Sequence, residues 1–318
     1  MTTFDQIKEA IERIKDYTIV TPLRRSDFLS NLTDTSVFLK LENEQVTGSF
    51  KVRGALNRLF TLSRHELERG VVTASTGNHG LGITYAAFQL GIQARVVFPL
   101  DASEDKLEKM KSAGAEIIQK VGYEEIESYA REYARKKGLT YVSPYNDTQI
   151  IAGAGTTGLE ILTQLEHVDV IIVPIGGGGL ISGIAIAVKT HHPEVQIIGV
   201  QSEMSPEVYH SWLAGHWVEV EESESLAQGL MGGVESDSIT LDIIQQYVDR
   251  IILVSEKSIL EAIRLLYEKE GLLIEGAGAA STAVLLQYPD EFRGKQVVLV
   301  LSGGNIGKED ILSLLSRT

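Results

Sequence analysis

Lys51, in the run TGSFKVRGA at positions 47–55, is the residue best suited to covalent chemistry. A lysine amine attacks a carbonyl only when it is neutral, so near pH 7 its pKa must be depressed by burial or nearby positive charge. Arg53, two residues on, supplies such a charge. The local pattern by itself also describes a solvated lysine opening an amphipathic helix, with Ala55, Leu56, Leu59 and Phe60 on the buried face. On that run alone the solvated reading is the simpler one, because most lysines lie at the surface. Glycine-bearing loops elsewhere move the balance toward a lysine that carries a carbonyl compound as a Schiff base.

The strand-like run VDVIIVPI leads directly into Gly176, Gly177, Gly178 and Gly179, and then into a helical pattern beginning at Leu180. Four glycines in succession are entropically costly in a mere turn, and they let main-chain N–H groups wrap an anion at a helix start. Phosphate binding is the favoured reading, although neither a Walker loop nor a strict dinucleotide fingerprint is present. A dinucleotide alternative would use Glu203, at the end of QIIGVQSE, to bind a ribose.

The second loop is STGNHG, residues 75–80. Ser75, Thr76 and the main chain through Gly77 to His79 form a receptor for a carboxylate, while Asn78 can donate to a second oxygen. A capped turn explains the same residues equally well. In the third loop, LSGGNIG at 301–307, Ser302 either bonds a heteroaromatic nitrogen or closes a turn.

These loops need strands and helices to hold them. Thr3 and Gln6 are spaced as a capping box for a first helix over 3–16. From 70 to 147, strands VVTAS, ARVVFP, AEIIQKV and TYVS alternate with helices stopped by Gly91, Gly114 and Gly138. A loop is expected over 143–155 and a helix over 156–166; VDVIIVPI, QIIGVQSE, RIILV and VVLVLS then supply a second set of strands. Apolar strands alternating with helices predict an α/β protein of two parallel-sheet lobes with helices on both faces. The expected division is a large cofactor-binding domain of 1–69 and 148–318, with a small mobile domain of 70–147 between its parts.

Composition bounds the function. A chain of 318 residues with a net charge of −14 has an acidic field that disfavours nucleic acid and anionic membranes. The absence of cysteine removes disulfides, a thiolate nucleophile and cysteine-held metals. No HExxH pattern suggests a catalytic zinc site. A polar start with Asp5, Glu9 and Glu12, and no apolar run of spanning length, lead us to expect a cytoplasmic location.

The ordered combination SFKVRGA, STGNHG, GGGGL and SGGN resembles the fold type II pyridoxal-phosphate enzymes, of the tryptophan synthase beta-like fold, in their threonine/serine dehydratase and serine racemase branch. The resemblance implies pyridoxal 5'-phosphate as cofactor, joined to Lys51, with Phe50 beside it. It implies that Asn78 bonds the phenolic oxygen, that Gly176, Gly177, Gly178, Gly179 and Leu180 hold the phosphate, and that Ser302 faces the pyridine nitrogen. Ser75, Thr76, Gly77 and His79 would bind the carboxylate of a small amino-acid substrate. A homodimer or homotetramer is implied as well.

The activity implied is that of an ammonia-lyase acting on L-threonine, to give 2-oxobutanoate, or on L-serine, to give pyruvate. Lys51 would remove the α-proton. Racemisation and dehydration of another hydroxylated amino acid, hydroxyectoine-derived or hydroxyaspartate, stay open. From other classes, so do an NAD-binding dehydrogenase and a non-catalytic binding protein. Leu81 and Ala154 depart from the family pattern, where glutamine is usual, and suggest altered substrate contacts. Glu203 matches an acid that holds a cation in some relatives, but Tyr209 stands where a second would be expected, so a metal is left open. With the last residue at Thr318, we expect no regulatory extension and no isoleucine feedback.

Overall fold

The computed structural model describes residues 2–75, 77–100, 104–122, 125–232 and 234–316. In chain order, helix α1 (Phe4–Ile14), strand β1 (Leu23–Arg25), helix α2 (Asp27–Thr33) and strand β2 (Ser36–Lys40) lead to α3 (Lys51–Phe60) and α4 (Arg64–Arg69). Then β3 (Val71–Ala74), α5 (Asn78–Leu90), β4 (Ala94–Val97), α6 (Glu104–Ser112), β5 (Glu116–Ile118), α7 (Ile126–Lys137) and β6 (Thr140–Tyr141) alternate. The chain continues through α8 (Thr148–Gln164), β7 (Val170–Pro174), α9 (Gly179–Lys189), β8 (Gln196–Ser202), α10 (Glu207–Ala214) and α11 (Thr240–Tyr247). It ends with β9 (Arg250–Val254), α12 (Glu256–Glu268), α13 (Gly276–Gln287), β10 (Gln296–Val300) and α14 (Lys308–Leu315).

Two sheets result. The smaller has the order β5-β4-β3-β6 and is parallel throughout. The larger has the order β1-β2-β10-β7-β8-β9 and is parallel except at its edge, where β1 runs antiparallel to β2. Three residues are too few to show a period, which is why β1 has no counterpart in the expected strands.

Every residue of β7 is buried, as expected of a central parallel strand covered on both faces. The covers are α9, buried from Gly179 to Val188, and α13, buried from Gly276 to Leu285. Each fully buried Ile or Val of such a strand contributes roughly 1.5–3 kcal/mol.

The capping box predicted at Thr3 and Gln6 is present at α1. The loop expected over 143–155 is shorter than that, because α8 begins at Thr148, where Asp147 caps it through its side chain. The glycines in this stretch serve helix packing. A Cβ on Gly153 would overlap the main chain of Arg53 and Gly54 in α3, and one on Gly155 would lie 2.8 Å from Gly183 O in α9. Helix propensity is overridden there by the close approach of two neighbouring helices.

The topology decides where a ligand can go. β3, β7 and β10 lead into Ser75, Gly176 and Ser302, so three loops leave the carboxyl ends of parallel strands, the usual location of a binding crevice in open α/β sheets.

Candidate active site

Lys51 is the first residue of α3, with Phe50 as N-cap and no acidic residue in the first turn. The positive end of a helix is an unfavourable place for an ammonium. Lys51 is half-buried; its Nζ donates to Pro144 O at 3.1 Å and lies 5.2 Å from the centre of the Phe50 ring. Burial lowers its pKa to about 8, against the opposing pull of the Glu127 and Glu275 carboxylates. An appreciable fraction of neutral amine is therefore present near pH 7.

Arg53 does not supply the depressing charge that its position in the sequence suggested. Two helical steps turn its side chain about 200° away from that of Lys51. It is 1 % exposed and locked between two carboxylates, with Nε 2.8 Å from Glu42 Oε2 and Nη1 2.6 Å from Glu160 Oε1. Lys40 Nζ reaches Glu160 Oε2 at 2.6 Å, so the buried network is two cations against two anions. Arg53 anchors the helix that presents Lys51.

The three loops meet around the lysine. Phe50 N donates to Ser302 O at 3.1 Å, Ser49 and Gly303 form an antiparallel bridge, and Gly304 N donates to Gly48 O at 2.9 Å. Asn305 Nδ2 donates to Thr47 O at 2.8 Å and to Asn78 Oδ1 at 2.6 Å, which ties the third loop to the Lys51 run and to the second loop. Asn78 Nδ2 donates to Glu275 Oε1 at 2.6 Å. An amide has a second N–H, so Asn78 keeps a donor for a ligand oxygen. Ser302 is 5 % exposed, and its hydroxyl has no hydrogen bond to a described residue.

The glycine run closes the opposite wall. Gly178, with φ of 83°, caps α9 without any side-chain bond to the helix start. A Cβ on Gly177 would overlap the Tyr145 ring, and Gly179 lies against the same residue. Since Tyr145 follows Pro144, the contact that holds Lys51 also places the amine beside this loop. The Leu180 side chain is in the core, which leaves only its main chain for a ligand. Together, the uncapped helix start, the glycine surface and the depressed lysine fit a phosphate-bearing carbonyl cofactor.

In the second loop, Ser75 Oγ accepts from Gly77 N at 3.1 Å and Gly80 N at 2.9 Å, so it caps α5 while keeping its own proton to donate. A Cβ on Gly77 would meet nothing within 4 Å, and the loop is open on that side. The His79 ring turns inward, with Nε2 3.4 Å from Val142 O and Nδ1 without a partner. Burial, and then the charge of Lys51, lower its pKa to about 3, so the ring is neutral. Thr76 lies outside the described residues.

Leu81 and Ala154, which suggested altered substrate contacts, belong to packing. Leu81 joins Val96, Phe98 and Met110 in a small core, and Ala154 sits in the core of the larger sheet. Glu203 is exposed, and no group of three His, Asp or Glu that could hold a metal forms among the described residues.

The family model described as pyridoxal-phosphate dependent enzyme matches residues 14–303. The chain belongs to this family. Its cofactor is pyridoxal phosphate, and the dinucleotide reading of the glycine run is thereby overturned. An L-threonine ammonia-lyase of Thermotoga maritima is 42 % identical over 318 residues, which is all of this chain and 79 % of that protein. Among solved structures, a threonine deaminase of T.th. superposes with a TM-score of 0.90 at 35 % identity, over 96 % of this chain and 99 % of that one. Maize serine racemase does so with a TM-score of 0.92 at 32 % identity, over 99 % and 97 % of the two chains. The fold is thus that of fold type II pyridoxal-phosphate enzymes.

Sequence reasoning missed several members of the site. Glu275 precedes a small-residue helix, and Glu127 and Glu235 carried no motif. Neither did Tyr145. Asn305 was within the quoted third loop, where the only available signal was an amide flanked by glycines.

Proposed function

We propose that this chain is an ammonia-lyase for a small β-hydroxy amino acid, L-threonine and L-serine foremost, giving 2-oxobutanoate or pyruvate with ammonia. The observation that carries the reading is the Lys51 amine, with its pKa lowered to about 8 and held at Pro144 O where three strand-end loops converge. Support for the substrate comes from the threonine ammonia-lyase and threonine deaminase relatives.

The cofactor, when bound, supplies a carbonyl for the amino group and an electron-withdrawing ring that steadies the charge left when the α C–H bond breaks. The chain does the rest. Main-chain N–H groups of Gly176 to Leu180 would hold the phosphate at the start of α9, and the second Asn78 N–H would serve the phenolic oxygen. Phe50 packs beside the cofactor. Ser302 would offer an uncharged hydroxyl to the pyridine nitrogen, which would favour prompt elimination. The substrate carboxylate docks on the 75–79 loop, through the Ser75 hydroxyl and the main chain from Gly77 to His79. Lys51, as a neutral amine, would take the α-proton.

In this reading residues 70–147 act as a mobile lobe that closes over the substrate, and the protein works in the cytoplasm as a homodimer or homotetramer. The test is a panel of L-threonine, L-serine and their D-isomers, hydroxyaspartate and a hydroxyectoine-derived hydroxy acid, with keto acid, ammonia and product chirality measured on holoenzyme. Keto-acid release led by threonine or serine supports the proposal. Turnover confined to another substrate, or inversion without release, refutes it.

A further inference from the structure

The Asn78 amide is fixed in one orientation by side chains that have no part in the steps above. Lys109, in the last turn of α6, donates from Nζ to Asn305 Oδ1 at 2.7 Å. Asn305 Nδ2 donates in turn to Thr47 O at 2.8 Å and to Asn78 Oδ1 at 2.6 Å. Asn78 Nδ2 then donates to Glu275 Oε1 at 2.6 Å. An ammonium has only donors, while a carboxylate and a peptide carbonyl have only acceptors, so Lys109, Thr47 O and Glu275 leave each amide a single way round. The chain runs from a cation to an anion, and each bond polarises the next in the same sense.

The backbone makes room for this chain. A Cβ on Gly48 would lie 2.7 Å from Asn305 Oδ1, and one on Gly303 would lie 2.5 Å from Glu275 Oε1 and 3.1 Å from Asn78 Nδ2. Gly303 does not have a positive φ, so space and not backbone shape excludes a side chain there. The same Cβ would meet that of Ser49 at 3.1 Å, which sets Asn78 and Ser49 on either side of the residue after Ser302. Gly82, one turn beyond Asn78 on α5, packs so closely that a Cβ would lie 3.2 Å from the Lys51 carbonyl carbon. Residues one turn apart share a helix face, so Asn78 stands on the face of α5 turned toward Lys51.

With Oδ1 turned to Asn305 and one N–H given to Glu275, the second Asn78 N–H is the donor left for a cofactor oxygen. An amide turned the other way would present its own oxygen there, acceptor against acceptor. We propose that Asn305 is a positioning residue for the cofactor, a role that rests on the assignment of Asn78 to the phenolic oxygen made above. By donating to Asn78 Oδ1, Asn305 holds the second Asn78 N–H in the direction of that oxygen. A hydrogen bond donated to a phenolic oxygen favours its ionised form, which carries the yellow absorbance of the bound cofactor.

The test uses Asn305→Asp and Asn305→Ala, with Asn78→Ala as the reference. Aspartate has the shape of asparagine and keeps an acceptor for Lys109, but has no proton to give Asn78. Equilibrium dialysis of cofactor-free protein should show pyridoxal phosphate bound about tenfold or more weakly by both Asn305 variants. In the loaded variants at fixed pH, part of the yellow absorbance should pass to the ultraviolet. The Asn305→Ala/Asn78→Ala double variant should be no worse than Asn78→Ala alone. Parent-like affinity and absorbance in either Asn305 variant, or losses that add in the double variant, would overturn the proposal while leaving Asn78 in its role. Should one Asn305 variant not fold, the other decides by the same readings. An Asn78→Ala protein indistinguishable from the parent would instead remove the assignment of Asn78, and the role of Asn305 with it.

Discussion

The Asn78 amide donates to Glu275 Oε1 across 2.6 Å, joining the first turn of α5 to the start of α13 and setting a carboxylate in the field of Lys51. Burial of Lys51 lowers its pKa to about 8, and the charge of Glu275 partly offsets that lowering. Only the neutral amine condenses with a carbonyl, so cofactor uptake by the cofactor-free protein should quicken as pH rises through about 8. Glu275→Gln removes an opposing charge and should move that midpoint to lower pH. An unmoved or raised midpoint, measured by stopped-flow absorbance, would contradict the electrostatic role.

Gly177 is held against the Tyr145 ring so closely that a methyl group overlaps it. Gly177→Ala must displace either the ring, and with it the Pro144 contact to Lys51, or the glycine loop. Overpacking of this kind costs about 1–3 kcal/mol, so cofactor affinity should fall about tenfold or more. Equilibrium dialysis reads this directly, and an unchanged affinity would mean that the loop does not shape the site.

Arg53 is buried between Glu42 and Glu160, with Lys40 as the second cation among the described residues. Arg53→Met would leave two buried carboxylates facing one ammonium. Removing one partner of such a network costs about 3–5 kcal/mol, so chemical denaturation should show a loss of that order. A loss below about 1 kcal/mol would show that the charges are not desolvated as the structure has them.

His79 is neutral because burial holds its pKa near 3, well below that of a solvated imidazole. Between those two values the unfolded chain binds a proton that the folded one refuses, so stability falls as pH drops from about 6.5 toward 3. The slope from this one group is at most about 1.4 kcal/mol per pH unit. His79→Asn should flatten that part of the urea-denaturation profile. An equally steep profile in the variant would assign the acid sensitivity to other groups.

Much of the frame was legible because it depends on local order. Glycines stand past the ends of α5 and α7, apolar runs mark β7 to β10, and the four-glycine run lies where a strand meets a helix. The edge strand β1 and the first two turns of α8 were not legible, the former for want of length and the latter because Gly153 and Gly155 lower helix propensity where α3 and α9 pack against them. Arg53 was misjudged because adjacency in sequence hid a half-turn of helix. The companions of Lys51 come from distant segments, Pro144, Glu275 and Glu127 among them, and only the folded chain brings them together.

The most direct measurement is borohydride reduction of the holoprotein followed by peptide mass mapping. The expected result is loss of the yellow absorbance with the reduced cofactor fixed to the peptide carrying Lys51, and no fixation in Lys51→Ala. Fixation at another lysine, or none at all, would contradict the assignment of Lys51 on which every step above depends.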